Sequence, residues 1–382
     1  MKKIFIAGST GSIGRQALEV IRKDPQKFKV VALSANSSSE ILIEQAREFL
    51  PEVVLIKEQS AYEQVKQALK SLCEVTLDQN ILDELCARSD LILNAVVGFA
   101  GLPVTIAALK KNKQLALANK ESLISAGELV KSLLSFSNQI LPVDSEHCAI
   151  FQCLKNEDKK DVSKLVITSS GGPFRGYKKE ELKRVSVDQA LSHPTWKMGP
   201  KITIDSSTLM NKGLEIIEAH FLFSVNYDAI DVVIHPESIV HSLVCFTDGV
   251  SLAQLSKPDM RAPISYALYY PNRSHVSFGS LDFSMAFNLR FEPPDKDVFN
   301  ALDLAYYAGA LGGCAPTWLN AANEVAVEAF LNSQINWLDI MRVVEYTLNH
   351  YQKCSQEALN AILDADLEAR TIARQILNKL SA

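Results

Sequence analysis

Two carboxylates that could share a cation stand at Asp144 and Glu146, directly after the apolar residues 140–143. In an extended chain, residues two apart project to the same side. Two like charges there repel each other unless a cation lies between them, and a hard divalent cation prefers carboxylate oxygens. A helical pattern over residues 147–154 offers an equally good explanation, in which Asp144 or Ser145 is simply the N-cap. These residues alone leave both alternatives open.

A second cluster, residues 205–215, combines hydroxyls, an amide and a lysine just before a further helical pattern. Neutral donors, one cation and the N–H groups of a helix together suit a phosphate monoester. Glu215 would add a third carboxylate to the predicted metal site. Its alternative role is that of an acidic residue in the first turn of a helix, where it complements the helix dipole.

Two loops could complete such a site. Residues 169–174 (Ser-Ser-Gly-Gly-Pro-Phe) form a turn of small residues suited to an anion, although taken alone they are better explained as an ordinary turn. Residues 193–200 carry His, Trp and Met in a loop with two prolines. Such a loop can close as a lid that excludes water from a substrate. The alternative is a surface loop whose Trp196 packs back on the core.

The elements that must position these groups begin with a glycine turn. Residues 8–14 (Gly-Ser-Thr-Gly-Ser-Ile-Gly) follow the apolar residues 4–7 and precede a helix predicted to begin near Ile13. The first glycine permits the tight turn, the second lets the backbone approach phosphates, and the third lets the helix pack closely on the sheet. The turn therefore predicts a dinucleotide site, although Thr10 replaces a glycine of the strict pattern and a purely structural turn is the alternative.

A polar turn follows another predicted strand, residues 114–117. Lys120 in this turn could hold a substrate oxygen, and Asn119 and Glu121 could line the nicotinamide end of a cofactor. The alternative is the solvated start of a helix.

Strand and helix patterns alternate over the first 150 residues, which predicts an α/β fold with a doubly wound, Rossmann-like parallel sheet. Ligands of such a sheet bind at the carboxyl ends of its strands. The predicted strands are residues 3–7, 30–33, 53–56, 91–94, 114–117 and 139–142, with helices at 38–50 and 61–72. Later strands are predicted at residues 165–168, 232–234 and 250–255. After a predicted linker at 291–294, helices at 298–310, 318–330, 338–349 and 357–380 predict a C-terminal helical bundle.

Composition excludes several classes of protein. The chain has 382 residues, more than one ordinary core accommodates, so two or three domains are expected. A hydrophobic content of 47% is typical of a soluble globular protein, and the net charge of −5 gives no support to a nucleic-acid partner. No apolar run approaches the length of a membrane span. Seven scattered cysteines without a C-x-x-C pair predict a cytoplasmic protein without a zinc site or disulfide framework.

Together these motifs resemble the 1-deoxy-D-xylulose 5-phosphate reductoisomerase family. The matching blocks occur in order at residues 8–14, 118–122, 142–147, 170–174, 193–199, 205–215, 235–236 and 258–261. The resemblance implies an enzyme of the non-mevalonate isoprenoid pathway that uses NADPH and Mg²⁺ or Mn²⁺. It would rearrange 1-deoxy-D-xylulose 5-phosphate, by retro-aldol cleavage and re-addition, and reduce the product to 2-C-methyl-D-erythritol 4-phosphate. The implied organisation is a homodimer with an NADPH-binding domain (1–146), a central catalytic domain (147–290) with a flap at about 192–200, and a helical bundle (291–382).

Carried over by position, the resemblance also implies residue roles. The metal ligands would be Asp144, Glu146 and Glu215. The substrate would contact Lys120, Ser145, Glu146, Ser170, His193, Trp196, Ser206, Asn211, Lys212 and Glu215, with Met198 beside Trp196 on the flap. Among these, the catalytic residues would be Lys120, Glu146, Glu215 and His193. The cofactor would contact Thr10, Gly11, Ser12, Ile13, Ala35, Asn36, Ser37, Ser38, Asn119, Glu121 and Gly199.

One segment departs from the family. The family has a basic residue after the second strand that grips the 2′-phosphate of NADPH, whereas residues 34–39 read Ser-Ala-Asn-Ser-Ser-Ser. No acidic residue in that run is available to bind a free ribose 2′-OH, which argues against NAD. We therefore expect a preference for NADPH over NADH that is weaker than in relatives with the basic residue. The alternatives are a metal-independent NADPH-dependent reductase of another phosphorylated aldehyde and a non-catalytic NADPH-binding protein.

Overall fold

The computed structural model of the chain describes residues 1–196 and 198–380; Lys197 of the predicted flap, Ser381 and Ala382 lie outside the described residues. The chain divides into two units. The first unit comprises Met1–Asn119, Leu133–Cys148 and Asp259–Gly279, and the second comprises Lys120–Ser132, Ala149–Pro258 and Ser280–Ala382. The division into three domains at residues 146 and 290 stays a prediction.

The first unit contains a seven-stranded sheet in the order β4-β3-β2-β1-β5-β6-β7. Its strands are β1 (Lys2–Ala7), β2 (Phe28–Ala35), β3 (Val53–Ile56), β4 (Glu74–Thr76), β5 (Leu91–Asn94), β6 (Gln114–Leu117) and β7 (Ile140–Pro142). All neighbouring strands are parallel, which confirms the predicted doubly wound sheet. The strand order reverses between β1 and β5, and the carboxyl ends at such a switch point are where ligands of this fold bind.

Helices cover this sheet because its central strands are largely apolar. Ile4, Phe5 and Ile6 are fully buried, as expected for a strand covered on both faces. The helices in chain order are α1 (Ser12–Arg22), α2 (Ser39–Phe49), α3 (Gln59–Leu69), α4 (Leu82–Arg88) and α5 (Leu102–Lys110). A later helix, α12 (Arg261–Tyr269), returns to this unit, where the Tyr269 hydroxyl donates to Asp24 at 2.7 Å.

The second unit contains a four-stranded sheet in the order β11-β10-β8-β9. Its strands are β8 (Val162–Ser169), β9 (Ile230–Ile234), β10 (Val240–Phe246) and β11 (Ser251–Leu255). Strands β8 and β9 are parallel and the other pairs are antiparallel. Strand β10 was not predicted from the sequence. Within the predicted linker, residues 291–294, Glu292 forms a backbone bridge with Ile234 of β9.

The second unit also contains helices. They are α6 (Glu121–Ser132), α8 (Lys179–Leu182), α9 (Val187–Leu191), α10 (Pro200–Ser207), α11 (Met210–Phe223), α13 (Ala301–Leu311), α14 (Ala315–Leu331), α15 (Trp337–Leu348) and α16 (Leu359–Leu380), while α7 (Ser145–Cys153) spans the boundary of the two units. Helix α14 is largely buried, and Trp318 in its first turn is 1% exposed. Among the described residues, no helix combines the length and the apolar character needed to cross a membrane.

Candidate active site

The glycine turn after β1 is shaped by the absence of side chains. Gly8 has φ +80°, and a Cβ built there would lie 2.6 Å from the carbonyl oxygen of Ala95. A Cβ on Gly14 would lie 2.4 Å from the oxygen of Gly8, because α1 passes directly over the turn. Gly11 is the N-cap of α1 and offers no side chain to the helix N–H groups. These N–H groups are therefore open to an anion such as a pyrophosphate.

The serine run lies beside this turn at the carboxyl end of β2. The backbone N–H groups of Gly8 and Ser9 both donate to the carbonyl oxygen of Ser34, at 3.1 and 2.9 Å. Strand β2 ends at Ala35, and the predicted cofactor residues that follow are exposed; they are Asn36, Ser37 and Ser38. Thr10, Ser12 and Ile13 lie in the glycine turn and the first turn of α1. The structure thus collects these predicted nucleotide contacts at one sheet edge.

Asp144 and Glu146 also lie at a strand end of the first unit, but not on an extended chain. Helix α7 begins at Ser145, and the Asp144 carboxylate accepts the backbone N–H of Glu146 at 3.2 Å. The predicted helix start at residue 147 was therefore two residues late, and the extended-chain reasoning for this pair was wrong. Asp144 does act as a cap. A carboxylate can accept several contacts at once, so this cap does not by itself exclude a bound cation.

The second unit contains a buried cluster of charges around Glu215. The Lys120 ammonium contacts Glu215 at 3.1 Å and the Asn211 amide oxygen at 2.8 Å. Lys212 contacts the other Glu215 oxygen at 2.7 Å. Lys120, Lys212 and Glu215 are each 6% exposed or less. Burying two ammonium groups is costly unless anions face them, so the cluster is built to hold negative charge.

The helical boundaries here differ from the prediction. Residues 205–215 were expected to form a loop before a helix, but they belong to α10 and α11, which are separated at Leu209 with φ +63°. Glu215 consequently lies beyond the first turn of α11, which begins at Met210. The dipole explanation for Glu215 is therefore wrong. The break was not predicted because a left-handed backbone conformation is usually signalled by a glycine, and the sequence Ser-Thr-Leu-Met contains none.

Ser170 and His193 form a hydrogen-bonded pair in the second unit, with 3.1 Å between Ser170 Oγ and His193 Nε2. His193 Nδ1 accepts the backbone N–H groups of Thr195 and Trp196 at 3.1 and 2.9 Å. Nδ1 is therefore unprotonated, and the neutral ring donates from Nε2 to Ser170. Burial, reinforced by the charge of Lys212, lowers the pKa of His193 to about 4. His193 is consequently a neutral donor near pH 7.

The turn that carries Ser170 packs against the end of α10. Gly172 has φ +68°, and a Cβ there would lie 2.6 Å from the carbonyl oxygen of Ser206. The backbone N–H of Gly172 also donates to Ser170 Oγ at 3.3 Å. Ser170 Oγ thus accepts two hydrogen bonds, which leaves its own proton for a further acceptor.

Of the predicted flap, residues 192–196, 198 and 199 are described and form neither helix nor strand, and Pro200 begins α10. The ring of Trp196 lies 6.3 Å from that of His241, and both Trp196 and Met198 are half-buried. Gly199 is exposed and forms the N-cap of α10. Trp196 therefore faces its own unit, as either a lid or a packed surface loop would require.

Sequence reasoning missed Lys201, which is central to a second buried ion network. Its ammonium contacts Glu121 at 3.0 Å and Asp205 at 2.9 Å. Burial alone would lower the pKa of Lys201, but Asp205 and Glu121 outweigh it and raise that pKa. Asn323 of α14 donates to Asp205 at 2.7 Å. The i, i+4 spacing of Lys201 and Asp205 was the available signal, but it is visible only once α10 is known to be helical.

Two predicted nicotinamide neighbours have structural bonds of their own. Asn119 donates its amide to the carbonyl oxygens of Val96 and Gly98, both at 2.8 Å, and so fastens the loop after β5. Glu121 is 6% exposed and bonded to Lys201. Ser145, also a predicted substrate contact, has its hydroxyl 2.5 Å from Glu146.

Comparisons with known proteins identify the family. The 1-deoxy-D-xylulose 5-phosphate reductoisomerase of Thermoanaerobacter pseudethanolicus is 48% identical over 97% of this chain and 98% of its own length. That of Bacteroides fragilis is 48% identical over 99% of this chain and 98% of its own. The chain belongs to the 1-deoxy-D-xylulose 5-phosphate reductoisomerase family.

Family models and solved structures of reductoisomerases also match most of the chain. The family's models match residues 4–127 (1-deoxy-D-xylulose 5-phosphate reductoisomerase), 140–223 (its C-terminal domain) and 255–372 (DXP reductoisomerase C-terminal domain). A crystal structure of DOX-P reductoisomerase in complex with NADPH, fosmidomycin and magnesium has a TM-score of 0.93 and 39% identity, and covers 100% of this chain and 99% of its own. The reductoisomerase from Zymomonas mobilis in complex with NADPH has a TM-score of 0.91 and 40% identity, covering 99% and 100%. These relatives confirm the resemblance and the fold class.

Proposed function

We propose that the chain converts 1-deoxy-D-xylulose 5-phosphate to 2-C-methyl-D-erythritol 4-phosphate with NADPH and a divalent cation, Mg²⁺ or Mn²⁺. The reductoisomerases that it resembles over their full length support the reaction, and two of their crystal structures are described with NADPH, one of them also with magnesium. The buried contacts of Lys120, Asn211 and Lys212 with Glu215 carry the assignment of residues, since these groups suit an anionic, oxygen-rich substrate beside a cation.

The metal ligands in this proposal are Asp144, Glu146 and Glu215. Three carboxylates match the oxygen ligands that Mg²⁺ and Mn²⁺ prefer. A bound cation would act as a Lewis acid and as a template for the substrate oxygens. Lys120 would hold a substrate oxygen and stabilise negative charge on it, because its ammonium is already buried and oriented by Asn211.

The phosphate of the substrate, in our proposal, is bound by Ser170, His193, Ser206, Asn211 and Lys212. Ser170 has a proton to donate, since its oxygen already accepts from His193 and Gly172. Lys212 supplies the positive charge. Trp196 and Met198 would close over the substrate, so that binding of the phosphate helps to organise the reacting carbons and to exclude water.

NADPH fits the glycine turn of the first unit. The space that a Cβ at Gly8 would fill is taken by the backbone of Ala95 and Val96. The space at Gly14 is taken by the backbone of Gly8 and Ser9, which brings α1 close to the turn. The uncapped N–H groups of α1 suit the pyrophosphate. When bound, the cofactor supplies the hydride for the reduction. Thr10, Gly11, Ser12 and Ile13 would contact the pyrophosphate side, and Asn119, Glu121 and Gly199 the nicotinamide side.

The test is NADPH oxidation with 1-deoxy-D-xylulose 5-phosphate in the presence of Mg²⁺, in Mn²⁺, and after treatment with EDTA. We expect turnover with either metal, none after EDTA, and recovery when metal is restored. Turnover that survives EDTA would favour the metal-independent reductase. Absence of turnover while NADPH binds with normal affinity would favour the non-catalytic protein. A Glu146→Gln variant should bind NADPH normally and show no turnover.

We further propose that two copies of the chain form a homodimer through the second unit. Strand β11 lies at the end of its sheet and exposes Leu252 and Leu255. The segment from Phe283 to Phe291 exposes five further large apolar side chains at alternate positions, with Phe283 73% exposed. Exposed apolar patches of this kind mark interaction surfaces. Light scattering should give a mass of two chains, and Leu252→Lys with Phe283→Lys should give one; a single-chain mass for the unmodified protein would refute the proposal.

The cytoplasm is the compartment that we propose, on the evidence of seven cysteines that form no C-x-x-C pair. Cell fractionation tests this proposal. Recovery of the protein with a periplasmic or membrane fraction would contradict it.

A further inference from the structure

The serine run of the first unit, residues 34–39, offers no positive charge to a bound cofactor. NADPH differs from NADH by a 2′-phosphate that carries about −1.5 to −2 charges near pH 7. Residues 34–39 offer hydroxyls and an amide, but no cation. Glu40 lies in the first turn of α2, and Glu58 lies two residues after the end of β3. Both side chains are exposed. Two carboxylates near the expected ribose would repel a phosphate, so a cation is needed from elsewhere.

The neighbouring strand supplies one candidate. Strand β3 is parallel to β2, with Ala35 opposite Ile56, and Lys57 follows directly. The backbone N–H of Lys57 donates to the carbonyl oxygen of Ala35 at 3.1 Å, and that of Glu58 donates to Asn36 at 2.9 Å. Residues 57 and 58 are thus fixed alongside the start of the serine run by the backbone itself.

The side chain of Lys57 is also available. It is exposed, and in the described part of the chain it forms no ion pair, whereas Lys29 at the other end of β2 is paired with Glu52 at 2.6 Å. Lys57 is the one lysine or arginine within two residues of the carboxyl end of β1, β2 or β3. A lysine side chain is long enough to cross the spacing of about 4.8 Å between adjacent strands.

We infer that Lys57 supplies the positive charge that binds the 2′-phosphate of NADPH, in place of the basic residue that the serine run lacks. The hydroxyls of Ser37 and Ser38 complete the contact as neutral donors. Lys57 therefore determines the preference for NADPH over NADH. This inference rests on the proposed use of NADPH.

Equilibrium binding separates this role from catalysis. We expect Lys57→Ala to raise the Kd for NADPH about 10-fold, as for an exposed charge-assisted hydrogen bond, and to change the Kd for NADH less than about 2-fold. Lys57→Arg should keep most of the NADPH affinity. Lys70→Ala is the matched control, because Lys70 is an exposed lysine at the far end of α3; it should change neither constant.

Two smaller ligands test the contribution of the 2′-phosphate to binding. Adenosine 2′,5′-bisphosphate should bind unmodified protein more tightly than 5′-AMP, and Lys57→Ala should remove that difference. Adding Ser37→Arg to Lys57→Ala should restore it, which excludes misfolding as the cause. Equal weakening of NADPH and NADH, or no change in either, would overturn the inference. If the unmodified protein binds neither dinucleotide, the proposed function fails instead.

Discussion

The glycine turn of the first unit and the charged cluster of the second differ in how the chain encodes them. The turn needs residues 8–14 alone, and its shape follows from backbone that no side chain obstructs. The cluster joins Lys120 to Glu215, which are 95 residues apart in sequence. A glycine of the turn can be replaced only by a residue that fits the same space. The cluster, in contrast, should lose its function when the charge of one side chain is removed. Substitutions in the two regions should therefore have different effects on activity, stability and cofactor binding.

Removal of the central charge of the cluster should have the largest effect. Glu215→Gln would take a ligand from the proposed metal site and leave Lys120 and Lys212 facing an amide. We expect kcat to fall at least about 1000-fold, which corresponds to about 4 kcal/mol of transition-state stabilisation. The Kd for NADPH should be unchanged, because the glycine turn is intact.

Steady-state kinetics and NADPH fluorescence measure the two effects. Glu180→Gln, at an exposed glutamate of α8, is the control and should leave both values unchanged. Near-normal turnover of Glu215→Gln would exclude Glu215 from the reaction.

Lys201→Met should show that charge in the second unit also supports stability. The substitution removes the ammonium group that contacts the buried carboxylates of Glu121 and Asp205. Loss of one partner of a buried ion pair costs about 3–5 kcal/mol, so we expect a loss of about 3 kcal/mol in the free energy of unfolding. Urea denaturation measures it, with Lys201→Arg as the conservative variant and exposed Lys183→Met as the control. A loss of less than about 1 kcal/mol would show that the network is dispensable.

Substitutions at two glycines of the turn should affect stability and NADPH binding separately. Gly14→Ala places a Cβ 2.4–2.6 Å from the backbone of Gly8 and Ser9, and should cost about 1–3 kcal/mol of stability. Gly11→Ala meets only one atom, the oxygen of Gly8 at 3.4 Å, and should keep its stability. Its methyl group would instead meet the pyrophosphate, so the Kd for NADPH should rise about 10-fold. Thermal melting and NADPH titration test both variants, and a destabilised Gly11→Ala protein would contradict the difference.

The same contrast explains what could be predicted from sequence. The glycine turn, the parallel strands and the C-terminal helices have local signals, and the structure confirms them with shifts of a few residues. The break at Leu209 and the pairing of Glu292 with Ile234 have no comparable local signal and were missed. The Lys201 network was missed for the same reason, because its members come from three helices. The family motifs pointed to the site residues, but not to the bonds among them.

The smallest expected effect is one of pH, and it too should distinguish the two regions. Residues 8–14 contain no ionisable side chain, whereas burial, with Lys212, lowers the pKa of His193 to about 4. Unfolded chains bind the proton near pH 6.5, so between pH 6.5 and 4 the unfolded state binds more protons and stability falls as the pH falls. Above pH 6.5 this contribution is fully present. The His193 ring resonance, assigned with a His193→Gln variant, should titrate near pH 4, and the variant should lose part of the acid-side decline in stability. A midpoint near 6.5 would show that His193 is solvated and does not hold Ser170.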